Sequence, residues 1–299
     1  MKAPEAPSER SVPGLSPRLQ ARLRLLFRVL SAISPALAAR LALKLFITPV
    51  PRPSSAEERE FLATARQRAL ATEHGSIQCY EWPAAGATVL VVHGWSSHTG
   101  RLRHAIAALH ARGFRIVAFD GPGHGRSGGR YADLHALRDT ISSVSGEFGA
   151  PRAILAHSYG ALAAAVWLAE CRSAELRAAV LVGMPRDIGY ILESFTLAMA
   201  LRPPIIERLR ARFFARYGAW PEFYEAGALA AQIPVPVLMV HGAADEFVPV
   251  RHVRPTYERF ALGELSIRPD LTHSAPLGDA ASLATIAGFL QRHMAGSEP

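Results

Sequence analysis

A chain of 299 residues with 49% hydrophobic and 19% charged side chains holds enough apolar mass for a sizeable core, which excludes a disordered chain. A net charge of +8 invites a nucleic-acid reading, but residues 1–68 carry 12 Lys+Arg against 5 Asp+Glu, while the rest is nearly balanced at 21 against 20. No stretch interleaves basic and aromatic residues as base-stacking surfaces do, so no nucleic acid is expected.

Residues 1–15 are rich in Pro, Ser and charge and read as a loose tail. Ser16-Pro17 and Ser34-Pro35 each read as an N-cap followed by proline at the first helical position. Between them Leu19, Leu23, Leu26, Leu30 and Ile33 recur every three or four residues, which predicts one apolar helix face. A second helix continues through Leu37, Leu41 and Leu45 and stops before Pro49. Ser55-Ala56-Glu57-Glu58 is a capping box that predicts a third helix to about Leu70.

The longest uncharged run here, Val29 to Ala39, is too short to span a bilayer. A signal peptide would need an unusually long charged leader. A basic amphipathic helix pair is suited either to peripheral contact with an anionic membrane or to packing, on the body of the protein or on another subunit. The leucine stripe and proline starts favour packing. Only two cysteines occur, Cys79 and Cys171, far apart and without metal-ligand company. That pattern suits a reducing compartment, so a cytoplasmic protein is expected.

From residue 76 strands and helices alternate. Strands are predicted at Ile77–Trp82, Thr88–Val92, Phe114–Phe119, Ala153–Ala156, Ala178–Val182, Val237–Val240 and Glu264–Arg268. Helices are predicted at Leu102–Ala111, Leu134–Phe148, Tyr159–Cys171, near Val250–Phe260, and at Ala280–His293. Such alternation predicts an α/β protein with a mostly parallel central sheet and helices on both faces. Residues 185–232 interrupt the pattern with helix-prone, aromatic-rich sequence and read as a short helical cap. Its aromatics, among them Tyr190, Phe195, Phe213 and Trp220, suit a hydrophobic substrate group, although forming the cap's own core is the commoner role for such residues.

Ser158 stands in Ala156-His157-Ser158-Tyr159-Gly160, directly after one predicted strand and at the start of a helix. A serine at the apex of a strand-to-helix turn, with small residues two positions either side, is a nucleophile elbow. The small residues are needed because the strained turn brings the chain close to itself. Asp245 follows in His241-Gly242-Ala243-Ala244-Asp245, and His273 in Asp270-Leu271-Thr272-His273, giving the order Ser, Asp, His. A free hydroxyl is a poor nucleophile, so Ser158 needs a base; His273 would take its proton, with a buried carboxylate holding the imidazole. Asp187 and Asp270 are rivals for the carboxylate, the latter more naturally a turn former.

Three more motifs complete the set: His93-Gly94-Trp95-Ser96 after a strand, Asp120-Gly121-Pro122-Gly123-His124-Gly125-Arg126-Ser127 after the next, and His241 to Pro249. Together with the elbow, over residues 75–295, they resemble the α/β-hydrolase superfamily, its esterase, monoacylglycerol-lipase-like and serine-aminopeptidase-like members above all. Ala156 departs from the usual glycine by one methyl. The resemblance implies an α/β-hydrolase fold, with residues 1–70 as a tail and helical extension and residues 71–299 as the hydrolase domain. It implies Ser158, Asp245 and His273 as a catalytic triad, and the backbone N–H groups of Trp95 and Tyr159 as an oxyanion hole. The Pro-Gly-His-Gly turn would be structural, and His93 a brace for its loop. Serine at the apex argues against dehalogenase or epoxide hydrolase chemistry, which places aspartate there. No metal or organic cofactor is needed. The expected activity is hydrolysis of small-molecule carboxylic esters through an acyl-serine. Amide, thioester or C–C bond cleavage on the same triad, or a slow-turnover ligand-binding homologue, are the alternatives.

Overall fold

The computed structural model describes residue 12, residues 14–171 and residues 173–294. Most of the tail expected at residues 1–15 lies outside the described residues. The chain divides into two compact units, one of residues 1–50 with 187–225, the other of residues 51–186 with 226–299.

The larger unit is built on eight strands: β1 (Arg66–Thr72), β2 (Gly75–Trp82), β3 (Thr88–Val92), β4 (Arg115–Phe119), β5 (Ala153–His157), β6 (Ala178–Val182), β7 (Val237–Gly242) and β8 (Gly263–Arg268). Their order across the sheet is β1-β2-β4-β3-β5-β6-β7-β8. The β1–β2 and β2–β4 pairs are antiparallel and every other pair is parallel. Strands β5, β6 and β7 are buried along their whole length, which is why they read as unbroken apolar runs rather than alternating ones.

The two sheet faces divide the side chains by parity. Val89, Val91, Leu155, Val180 and Leu238 share one cluster with Ile106 and Leu109 of α4 (Arg103–His110) and with Ile286 and Phe289 of α11 (Ala280–Met294). Leu62 of α3 (Ala56–Ala63), a helix started by the full capping box at Ser55 and Glu58, joins them. On β5 the alternate residues, Ile154 and Ala156, are also fully buried. Helices α5 (Leu134–Phe148) and α6 (Tyr159–Glu170) pack together, with α6 against β5 and β3. Apolar all round from Tyr159 to Ala169, α6 is buried all round.

Two predicted elements differ. The third helix stops at Ala63 instead of about Leu70, and Arg66–Thr72 turns into β1, paired residue for residue with β2 around a hairpin entered at Gly75 (φ 114°). Isolated, that stretch is a good helix former, so the ladder to β2 overrides local preference. The helix expected near Val250–Phe260 shrinks to a 3₁₀ turn and α10 (Val253–Tyr257), with the short α9 (Ala226–Ala230) leading back into the sheet.

In the smaller unit, α1 (Pro17–Ile33) and α2 (Pro35–Phe46) begin at Ser16 and Ser34, whose hydroxyls accept from the amides of Leu19 and Leu37. Both helices have proline in the first turn. They pack on α7 (Ile188–Ala198) and α8 (Pro203–Tyr217), so the N-terminal pair finds its partner in the inserted segment. Phe27, Ala38, Ala39 and Ala42 meet Leu192, Phe195, Ile205 and Leu209 in one core, the alanines allowing α2 to approach α8 closely. Gln20 and Arg24 of α1 both donate to the Ala198 carbonyl at the end of α7, satisfying a group the helix itself leaves open. Of residues 1–70, then, the first fifty belong with this helical unit and the rest with the sheet. Among the described residues no helix is long and apolar enough to cross a membrane.

Candidate active site

Ser158 follows β5 at once, and its backbone has φ 55° and ψ −125°, a conformation that side chains rarely adopt. Its amide donates to the Val182 carbonyl of β6 (2.8 Å), so pairing with a neighbouring strand holds the strained residue in place. A Cβ on Gly160 would stand 2.2 Å from the His93 carbonyl oxygen, which explains glycine there. Gly94 answers from the other side: a Cβ on it would lie 2.9 Å from the Ser158 Cβ. The loop after β3 therefore passes directly over Ser158.

The Ser158 hydroxyl donates to His273 Nε2 at 2.8 Å, and His273 Nδ1–H donates to Asp245 Oδ2 at 2.6 Å. These three residues, 115 and 28 positions apart, form one hydrogen-bonded chain, in which the carboxylate fixes the tautomer that leaves Nε2 free to accept. Asp245 is buried, and its other oxygen accepts from the amides of Phe247 (2.9 Å) and Val248 (2.8 Å). Burial alone would raise its pKa; the hydrogen bond and charge of His273 and the Val248 amide outweigh that and hold the carboxyl below the ordinary range. His241 extends the support, its Nε2–H donating to the Val248 carbonyl at 2.9 Å. A chain of this kind can raise the nucleophilicity of a hydroxyl and carry its proton.

The rival carboxylates stand apart from this chain of hydrogen bonds. Asp187 caps α7, accepting from the Tyr190 amide, and Asp270 sits in an exposed turn.

Behind the site lies a second polar assembly that contributes rigidity. Asp120, buried after β4, accepts from the Thr99 amide (2.9 Å), the Tyr80 hydroxyl (3.0 Å) and the Arg126 amide (2.9 Å). One carboxylate thereby ties β2, the loop after β3 and the glycine turn together. His93 Nδ1–H donates to the Gly94 carbonyl while Nε2 accepts from the Gly121 amide; His124 Nδ1–H donates to the Pro122 carbonyl while Nε2 accepts from the Ser96 amide. Each imidazole is a neutral two-ended brace. Burial is the main reason that the pKa of His93 is lowered and that of His124 is pushed down to about 3. Trp95 is fixed edge-on between the rings of His124 (5.8 Å) and Tyr159 (5.3 Å).

Sequence reasoning passed over His157. Its ring lies 4.8 Å from the His273 ring, and its Nε2–H donates to the His273 carbonyl at 3.3 Å, steadying the loop that carries His273. Burial first, then the neighbouring His273, pushes its pKa down to about 3. Phe247, its ring 5.4 Å from that of His273, was likewise missed. Nothing in the local pattern marks either residue; only the fold brings them to His273. Burial and the nearby Asp120 charge raise the Cys79 thiol to about 12, which keeps it protonated and inert.

Comparison with known proteins adds to this geometry. A family model described as serine aminopeptidase, S33, matches residues 83–212. A monoacylglycerol lipase of Mycolicibacterium smegmatis is 26% identical over 224 residues, which cover 62% of this chain and 80% of that protein. Among solved structures, an esterase of Pyrococcus furiosus superposes with a TM-score of 0.64 at 20% identity, covering 83% of this chain and 97% of the other. The mouse alpha/beta hydrolase domain-containing protein 10 gives a TM-score of 0.61 at 15% identity, covering 76% and 98%.

Proposed function

Because the chain belongs to the α/β-hydrolase superfamily, we propose that it is a serine hydrolase that cleaves carboxylic esters through an acyl-Ser158 intermediate. The observation that carries this reading is the unbroken chain from Asp245 through His273 to Ser158. Ser158 Oγ attacks the ester carbonyl while His273 Nε2 takes its proton. The tetrahedral oxyanion is held by the amides of Trp95 and Tyr159, each donor worth about 3 kcal/mol in a dry, preorganised site. His273 then returns the proton to the departing alcohol. Water, deprotonated by the same imidazole, releases the acid and restores Ser158. Throughout, Asp245 stays ionised and stabilises the imidazolium, the role for which its lowered pKa suits it.

An ester is favoured over an amide because similar proteins are named as a monoacylglycerol lipase and an esterase. The amide reading keeps one observation on its side, the family model's description as a serine aminopeptidase. A panel of chromogenic esters of increasing acyl length, run beside an aminoacyl arylamide, separates the two. Ester turnover that vanishes in Ser158→Ala, with no arylamide cleavage, is the expected result. Faster cleavage of the arylamide would overturn the ester assignment, and no turnover of either would remove the proposed activity.

A further inference from the structure

Helix α1 presents apolar side chains on two sides. Phe27 is buried, and Leu23 and Leu30 pack beside it against the helical unit's core. On the outer side Leu19, Leu25, Leu26, Val29 and Ile33 lie exposed, Ile33 at 73%, with Leu37 of α2 exposed as well. One exposed leucine needs no explanation, but a continuous outer stripe on a two-turn scale and longer does. A helix whose only neighbours were its core and water would carry polar residues there. The charges that accompany the stripe all have one sign. From Ser16 to Val50 the chain holds Arg18, Arg22, Arg24, Arg28, Arg40 and Lys44 and no Asp or Glu. Beside α1 opens a cleft of about 600 Å³, lined by Arg24, Arg28 and Arg202 together with Leu197, Leu201 and Ile206. Guanidinium and apolar side chains lining one cleft suit a phosphate head on a hydrocarbon chain.

We propose that the outer face of α1 docks on an anionic lipid surface, with the exposed leucines entering the acyl boundary and the arginines meeting lipid phosphate. Two features favour lipid over a second copy of the chain. Pairing α1 with its own copy would bring Arg18, Arg22 and Arg28 of both copies into one interface that has no carboxylate from this segment to offset them. A bilayer supplies the missing negative charge and accepts an apolar helix face without shape complementarity. Docking of α1 on lipid is independent of the proposed ester chemistry.

The test is flotation of the full chain with phosphatidylcholine vesicles, with and without phosphatidylglycerol, at low and high salt. Binding is expected only with phosphatidylglycerol and should weaken at high salt. Leu26→Glu with Ile33→Glu should abolish it. Arg22→Gln with Arg28→Gln should lower the partition coefficient about 25-fold, roughly fivefold for each surface cation removed. All four side chains are exposed, so the melting temperature should hold in both double variants. Should the glutamate pair misfold, the arginine pair decides. Unchanged flotation of both variants, or equal, salt-insensitive binding to pure phosphatidylcholine, would overturn the proposal. So would a wild-type dimer in sedimentation velocity that never floats and is split by Ile33→Glu, because the face would then belong to a second copy.

Discussion

The two units treat apolar surface in opposite ways. The sheet unit buries its strands on both faces and packs glycines so tightly that a single methyl at Gly160 or Gly242 would strike backbone at 2.2 or 2.0 Å. The helical unit carries nine of the eleven large apolar side chains that are exposed among the described residues, including Phe214, Trp220 and Phe223 as well as the outer stripe of α1. Charge divides along the same line. Residues 1–50 and 187–225 hold 13 Lys+Arg against 7 Asp+Glu, while the remaining chain is close to balance at 20 against 18. One unit is built to hold a few atoms in fixed places; the other keeps a basic, apolar exterior on a simple helical core. Substitutions should therefore be felt sharply in the first and weakly in the second.

The largest effects should come from the hydrogen-bonded chain. His273→Ala should cut ester turnover about a millionfold, as loss of the nucleophile would, because the residues act as a unit. Asp245→Asn should cost about ten-thousandfold, since an amide in that place can favour the wrong imidazole tautomer. Asp187→Asn, in the helical unit, should leave turnover near normal, and asparagine remains an adequate cap for α7. Steady-state rates on one chromogenic ester check all three, and a reversal between Asp245 and Asp187 would move the carboxylate role.

Next comes Gly160→Ala, which must displace the His93 carbonyl and with it the loop crossing Ser158. A misplacement on the scale of an ångström is worth about a hundredfold in kcat. Wild-type kinetics in a folded Gly160→Ala protein would show the elbow to be looser than its geometry implies.

Acid should weaken the sheet unit through its buried imidazoles. His124 and His157 stay neutral in the folded chain down to about pH 3, whereas an unfolded histidine titrates near 6.5. Between those limits the unfolded chain takes up protons that the folded one refuses. Stability is therefore complete above about pH 6.5 and falls as pH drops, by up to about 1.4 kcal/mol per pH unit for each histidine. Melting temperatures from neutral pH down to about 4 should decline accordingly, and His157→Gln should flatten the slope. A flat profile in the wild type would mean that these imidazoles protonate without cost.

The smallest effect is expected on the outer side of α1, where Ile33→Gln should change stability by no more than about 0.5 kcal/mol. A larger loss, read from denaturant titration, would mean that this face is covered.

Much of the sheet unit was legible in the sequence because its signals are local. Each of β5, β6 and β7 is a short apolar run followed by a turn, and the elbow, the His-Gly-Trp loop and the stretch from His241 to Pro249 each sit at a strand end. What stayed hidden depends on residues distant in the chain. Strand β1 exists through its ladder with β2, and nothing in Arg66–Thr72 alternates as a half-buried strand would, since four of its seven residues in a row are exposed. The stripe Leu19, Leu23, Leu26, Leu30 and Ile33 has helical spacing, yet the structure splits it: Leu23 and Leu30 turn inward with Phe27, while Leu19, Leu26 and Ile33 turn out. A helix that is apolar nearly all round cannot announce which side meets its partner. The roles of His157 and Tyr80 were equally invisible, because the groups they brace lie 116 and 40 residues away.

Every step of the proposed chemistry starts from Ser158 as nucleophile. The most direct measurement is reaction of the full chain with a fluorophosphonate, followed by peptide mapping of the adduct. One adduct is expected, on the peptide that carries Ser158, with no labelling of Ser158→Ala in a protein with wild-type circular dichroism. Persistent labelling of that variant, with the adduct on Ser96, Ser127 or any other serine, would contradict it.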